Sequence, residues 1–227
     1  MLAKKYNSKL ISISNPFEGI YTLEFESKRG RYKYSPGQFL HLALDDSYDG
    51  VGQWPDSRCF SMQSNPDENN IRITYAVIGT FTKEMEAILK VGSEVWLKLP
   101  YGNLFSQPHK KNNTIFIAGG TGITPFLSLY AHRSFYEYKK PKIFLGFRSR
   151  EYNIFEEELS TIQNDDAEIS LFYEDKVGLI DINLIYESFG TDSTYFISGP
   201  PRMIKTFRND LIRNGVGIHN IITDDWE

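Results

Sequence analysis

The sequence predicts a two-domain protein, with an antiparallel six-stranded β-barrel over residues 1–108 and a parallel α/β sheet over residues 109–227. Three observations predict it. The first hundred residues break into short runs of alternating apolar and polar side chains, separated by Gly, Pro and Asn, as half-buried strands of a small barrel do. Near residue 110 the pattern changes to continuous apolar runs, expected of strands covered on both faces. From there strand-like and helix-like segments alternate, which implies right-handed crossovers and a parallel sheet.

Composition sets the bounds. At 227 residues the chain suits two compact domains. Its 41% hydrophobic and 24% charged content is ordinary for a soluble globular protein, and a 15% aromatic share furnishes stacking surfaces. A net charge of −4 supplies no basic field, so nucleic-acid binding is discounted. With Cys59 as its one cysteine the chain builds neither an internal disulfide nor a four-thiolate iron–sulfur cluster, and a reducing, cytoplasmic setting is expected. No stretch reaches the roughly 20 apolar residues that span a bilayer, and the N-terminus alternates instead of running apolar, so neither export nor membrane insertion is expected. Four scattered His residues lack metal-ligand spacing, and no metal is expected.

In the first half, residues 9–14 and 21–25 alternate as two strands around the turn signals Asn15-Pro16 and Gly19. Lys28, Arg29, Arg31 and Lys33 form a basic loop, either a solvated turn or a docking patch for an acidic partner. Pro36-Gly37 opens a third strand over 38–44, and a polar loop over 45–57 leads into Arg58-Cys59-Phe60-Ser61. On a strand Arg58 and Phe60 share one face, Cys59 and Ser61 the other. A cation, a flat ring and a hydroxyl so placed suit a planar, phosphate-bearing ligand. Residues 71–77 form the next strand, with Ile71, Ile73, Tyr75 and Val77 on one face. Gly79-Thr80-Phe81-Thr82 then precedes a short helix over 83–89, with Thr82 as its cap, and such a start offers free N–H groups to phosphate. Residues 94–99 alternate again, and Pro100-Tyr101-Gly102 closes that strand.

In the second half, the apolar run 114–118 enters Gly119-Gly120-Thr121-Gly122-Ile123-Thr124-Pro125 and a helix to about residue 136. Strand, glycine loop and helix together let backbone approach a pyrophosphate, and Pro125 suits a first helical turn. Strand 143–147, helix 155–163, strand 168–173, helix 181–189, strand 194–197, helix 202–214 and strand 218–223 follow, giving a Rossmann-like domain. Ligands of such sheets sit at the carboxyl ends of the strands, where Gly120, Arg148, Glu174 and Ser198 fall.

In this order the motifs RCFS (58–61), GTFT (79–82), LPYG (99–102), GGTGITP (119–125), GFRSR (146–150), SGPPRM (198–203) and ITDDW (222–226) resemble the ferredoxin-NAD(P)H reductase-like flavoproteins, without an iron–sulfur domain. The resemblance spans nearly the whole chain. It implies an FAD-binding barrel followed by an NAD(P)-binding domain. Arg58 would bind flavin phosphate, Phe60 would pack on the isoalloxazine, and Ser61 would bond near flavin N5. Tyr75 and Val77 would line the flavin edge, and Gly79, Phe81 and Thr82 would lie in the stretch that cradles the FAD pyrophosphate. For the second nucleotide, Gly120, Thr121, Gly122 and Thr124 would hold the pyrophosphate, while Ser198, Gly199, Pro200 and Met203 would approach nicotinamide. Many relatives have Cys where this chain has Ser198, which puts the efficiency of hydride transfer in question. Trp226 would either cover the flavin or pack the last strand.

Coenzyme choice follows from charge. NADP-preferring relatives tend to place Ser-Arg where this chain has Glu174-Asp175, and carboxylates there repel a 2′-phosphate and accept from a ribose diol. NADH is therefore favoured over NADPH, although Arg148 and Arg150 pull the other way. The expected activity is hydride transfer from NAD(P)H to flavin N5, with electrons passed to a separate acceptor: ferredoxin, flavodoxin, an oxygenase component or a small molecule. The alternatives are a free-flavin or ferric reductase, and a flavin-binding module that senses redox state without turnover.

Overall fold

The computed structural model describes residues 2–45, 47–162 and 164–224. Strands β1 (Lys4–Phe17), β2 (Ile20–Ser27), β3 (Phe39–Ala43), β4 (Ser57–Ser61), β5 (Ile71–Ala76) and β6 (Glu94–Tyr101) make one antiparallel sheet in the order β4-β3-β6-β1-β2-β5. The expected six strands are present, and their inward residues, among them Leu10, Leu23, Phe25, Leu40, Leu42, Ile73 and Leu97, form one core. The sheet curls without closing. Its edge strands β4 and β5 share no ladder, and among the described residues one backbone bond joins the chain beyond β4 to β5, from Gln63 N–H to the Arg72 carbonyl at 2.8 Å.

Several boundaries differ from the sequence reading, each for a local reason. Asn15-Pro16 lies inside β1, at a register shift that needs no proline N–H, and the turn falls at Gly19 with φ 70°. Pro100 likewise stays within β6, beside the register shift between Phe39 and His41 on β3. Helix α1 (Thr80–Ile88) begins three residues before the expected start. Thr82 is thus not its cap: from the first turn its hydroxyl accepts from Gly79 N–H at 3.1 Å and Ile78 N–H at 3.0 Å.

The second sheet is parallel and five-stranded: β7 (Thr114–Gly119), β8 (Lys142–Phe147), β9 (Glu168–Tyr173), β10 (Thr194–Ser198) and β11 (Ile221–Thr223), in the order β11-β10-β7-β8-β9. The chain starts at the central strand, moves out to β9, then returns to build the other side. Its switch point therefore lies between β7 and β10. Alternation along β7 sends Phe116 to one core and Ile115 and Ile117 to the other. Helices α2 (Thr124–Tyr130) and α3 (Glu156–Ser160) cover the Phe116 face, while α5 (Ile182–Phe189) and α6 (Pro201–Arg213) cover the opposite one. A single turn, α4 (Glu174–Val177), follows β9.

Here too some of the expected helices are shorter, while α6 keeps its expected length. The segment after β7 is a 3-10 turn (Gly120–Ile123), then α2, then a break at His132, whose extended backbone and ring nitrogen, accepting from Ser134 N–H at 3.2 Å, start a second 3-10 turn (Arg133–Glu137). The helix expected over 155–163 is confined to the five residues of α3, and the expected last strand is a 3-10 turn (Ile218–Asn220) followed by β11. No helix among the described residues is long and apolar enough to cross a membrane.

The halves meet where the connection from β4 to β5 rests on α2. Ser128 Oγ donates to the Ser64 carbonyl at 2.8 Å, Asn65 Nδ2 to the Ala131 carbonyl at 2.8 Å, and Gln63 Nε2 to Glu158 Oε1 at 3.0 Å. Thr74 Oγ1 holds Gln63 from behind at 2.5 Å. These bonds set the first sheet's open edge against the second sheet's carboxyl end.

Candidate functional site

The open edge of the first sheet gathers most of the residues singled out there. Phe60 on β4 and Tyr75 on β5 face each other across it, ring centroids 5.8 Å apart at 60°, and Tyr21 stacks behind Tyr75 at 5.6 Å. Burial pushes the Tyr75 phenol up, with Tyr21 and Glu86 adding to the effect, so it is a neutral side chain at physiological pH. Val77 is half-buried just beyond β5. Arg58 is exposed, and its guanidinium makes no ion pair or hydrogen bond among the described residues. Ser61 is 8% exposed, and its hydroxyl likewise finds no protein partner among them. An accessible hydroxyl and a free guanidinium on one strand are hydrogen-bonding capacity open to a ligand.

The start of α1 stands at the same edge. Since Thr82 occupies the N–H groups of Gly79 and Ile78, the first-turn amides of Thr80, Phe81 and Thr82 are those left without carbonyl partners. Nothing lies within 4 Å of the position a Cβ would take on Gly79, so the approach to them is open. Phe81 itself packs against the barrel core and fixes the turn.

Cys59 points the other way, as alternation requires. Its Sγ lies 3.4 Å from His41 Nε2 on β3. Burial pushes the thiol up, opposed by Arg58, and burial with Lys98 holds the imidazole down, so both are neutral and neither belongs to the open edge.

On the second sheet, two glycine turns meet at the switch point. A Cβ on Gly122 would lie 2.4 Å from Gly199 Cα and 2.5 Å from its nitrogen, and a Cβ on Gly199 would lie 3.0 Å from Gly119 N. Met203 and Pro200 back the same contact, with Met203 Sδ 2.9 Å from a Cβ position on Gly119. Gly122, Gly199 and Met203 thus hold the loops together. Gly120 differs: its φ of +55° admits few other residues, and the space above it is open. It is the point where a ligand reaches backbone. Thr121 is half-exposed beside it, whereas the Thr124 hydroxyl is spent inside the turn, donating to the Thr121 carbonyl at 3.0 Å.

Ser198 ends β10 and is 2% exposed, and its Oγ donates to Asp224 Oδ2 at 3.2 Å. Asp224 had no assigned role in the sequence reading; a carboxylate just after the last strand of a parallel sheet, whose neighbour strand ends in a site serine, was the available signal. Trp226 lies outside the described residues. Arg148 follows β8 with its guanidinium over the Tyr152 ring at 5.7 Å and no carboxylate partner among the described residues, while Arg150 pairs with Glu156 at 3.3 Å. Glu174 is exposed at the start of α4, and Asp175 N–H donates to the Arg148 carbonyl at 3.1 Å. The two sets are neighbours, because the Gly120–Ile123 turn packs beside β5.

An open-sided barrel abutting the switch point of a parallel sheet is the two-domain fold of the ferredoxin-NAD(P)H reductase-like proteins. Residues 116–209 match the family described as the oxidoreductase NAD-binding domain. The chain is 26% identical to sulfhydrogenase 2 subunit gamma of Pyrococcus furiosus, over 94% of this chain and 80% of that one. It is 28% identical to methane monooxygenase component C of Methylosinus trichosporium over 57% of this chain, but spans only 37% of that protein. Among solved structures, a ferredoxin NADP+ reductase from Neisseria gonorrhoeae with bound FAD and NADP superposes with a TM-score of 0.81 at 17% identity, over 97% of this chain and 98% of that one.

Proposed function

We propose that the protein is an FAD-dependent NAD(P)H reductase that passes electrons to a separate acceptor, with flavin held by residues 1–108 and the nicotinamide nucleotide by residues 109–227. The observation that carries this reading is the packing of the Gly120–Ile123 turn beside β5, which opens the two candidate nucleotide sites onto one edge. The residues fit both groups: an unpaired guanidinium, open helix-start amides and a serine hydroxyl without a protein partner among the described residues on one side, an open glycine turn on the other. Bound flavin would supply the redox chemistry, taking hydride from reduced nicotinamide and releasing electrons to the acceptor.

The protein's own part is placement. Arg58 grips diphosphate oxygens alongside the α1 amides, and Phe60, Tyr75 and Val77 wall the flavin ring. Ser61 offers a hydrogen bond to a ring nitrogen. The Gly120 turn admits the coenzyme pyrophosphate to backbone. At the nicotinamide end Ser198, its proton directed to Asp224, presents acceptor lone pairs to the carboxamide. No residue is required as an acid–base catalyst.

Arg58→Ala is expected to weaken FAD binding by about 10- to 100-fold, since charge-assisted hydrogen bonds contribute about 1.5–3 kcal/mol. Gel filtration of the yellow protein checks it: wild type keeps its flavin and the variant elutes colourless. A colourless wild type would instead favour the free-flavin reductase.

The acceptor is read as a partner protein. In support, the relatives named above are a subunit and a component of larger systems. Coenzyme preference is read as NADH. Glu174 stands exposed just past the carboxyl end of β9, the end at which ligands of such sheets bind, and Asp175 is paired with Lys176 at 3.4 Å. Glu174→Ser is expected to lower the NADH-to-NADPH ratio of kcat/KM by about tenfold, the scale of one unscreened charge contact. An unchanged ratio would remove Glu174 from coenzyme choice.

A further inference from the structure

We infer that Phe17 and Tyr152 form a clamp between the two halves that positions Arg148 for the nicotinamide nucleotide; this rests on the reading of the second half as the coenzyme site. Phe17 ends β1 at the tip of the first hairpin and packs into neither sheet's core. Among the described residues its ring finds one aromatic partner, Tyr152 of the other half, at 4.3 Å between centroids and 46° between planes. Tyr152 closes the 3-10 turn Arg150–Tyr152, its N–H donating to the Ser149 carbonyl at 3.2 Å, and packs its own edge on the second core. Its ring then carries the Arg148 guanidinium at 5.7 Å.

Arg148 is thereby held at both ends. Its carbonyl is fixed by Asp175 N–H, and its head is fixed by a ring that the other half braces. A guanidinium stacked on an aromatic face keeps its N–H edges free for a phosphate and surrenders rotamer freedom before the ligand arrives. Arg150, committed to Glu156, is less free to do so.

The clamp also touches the flavin side. Val77 N–H donates to the Gly19 carbonyl at 2.8 Å, so the hairpin tip that carries Phe17 is tied to the end of β5. A residue walling the flavin and a residue gripping the coenzyme are joined through Gly19, Phe17 and Tyr152.

The test is calorimetric titration of the flavin-loaded protein with NAD and with ADP-ribose, beside steady-state kinetics. Phe17→Ala and Tyr152→Ala are each expected to raise Kd roughly tenfold, the scale of one cation–π contact and its bracing ring. The double variant should be no weaker than either single one, KM should move far more than kcat, and Phe17→Tyr and Tyr152→Phe, which keep the rings, should stay within about twofold of wild type. In an Arg148→Ala background, Phe17→Ala should add nothing. Should Phe17→Ala fail to fold, Phe17→Leu takes its place. An unchanged Kd, or a loss that persists without Arg148, overturns the clamp alone, whereas a wild-type protein that binds neither ligand overturns the coenzyme reading and the clamp with it.

Discussion

Gly122→Ala is expected to weaken nicotinamide-nucleotide binding by about 10- to 100-fold, because the two turns that shape the site must be driven apart. The added methyl would sit 2.4 Å from Gly199 Cα and 2.8 Å from the Ser198 carbonyl carbon, and backbone does not yield as a side-chain tip does. The Gly120–Ile123 turn and the Ser198-Gly199 turn must therefore separate. Overpacking of this kind also costs about 1–3 kcal/mol of stability. Gly120→Ala is the informative contrast. That position has nothing within 4 Å but a φ of +55°, so alanine meets backbone strain of about 1–2 kcal/mol and no clash. Calorimetry with ADP-ribose separates the two: equal, small losses would mean that the loops do not depend on their mutual contact.

Phe116→Ala is expected to remove about 3–5 kcal/mol of stability, as deletion of a fully buried aromatic does. Phe116 is wholly buried and stacks on Phe196 at 5.2 Å and 12°, with Phe126, Tyr130, Phe135 and Tyr138 disposed edge-on around it at 5.4 to 5.9 Å. With Phe105 at 6.2 Å, six rings among the described residues converge on one side chain, from β10, α2, the segment after it and the connection from β6 to β7. Its loss leaves a cavity that rigid rings fill poorly. Far-ultraviolet dichroism in urea should show the midpoint lowered by about 1–2 M. A shift below a few tenths of a molar would mean that the surrounding rings collapse into the gap.

Much of the fold was legible because side-chain periodicity survives into three dimensions. The alternation of residues 71–77 became β5, and the apolar run 114–118 became a central strand covered on both faces, where burial allows no polar face to mark it. Boundaries were less legible. Pro16 and Pro100 read as terminators, yet both fall at register shifts where the ladder asks nothing of a proline nitrogen. Thr82 read as a cap, but a threonine three residues into a helix bonds backward as readily as one at its edge bonds forward.

The candidate site divides in the same way. Strand periodicity placed Arg58 and Phe60 on one face, and the open edge between β4 and β5 brings Tyr75 opposite Phe60. What local pattern could not give is the division of labour among glycines: Gly120 faces open space and Gly122 faces another backbone, a difference set by a loop nearly eighty residues further along the chain. Asp224 and Phe17 escaped for the same reason, since their partners, Ser198 and Tyr152, are distant in sequence.

The central claim, that two nucleotide sites share one edge so that hydride passes directly between their occupants, is tested by mixing the flavin-loaded protein with NADH in an anaerobic stopped-flow cell. Direct transfer predicts bleaching of the oxidised flavin's visible absorbance, at a rate that saturates with coenzyme concentration and reaches at least about 1 s⁻¹, the lower end of ordinary enzyme turnover. A flavin that stays oxidised with NADH and NADPH alike, in protein that binds both coenzyme and FAD, would contradict it.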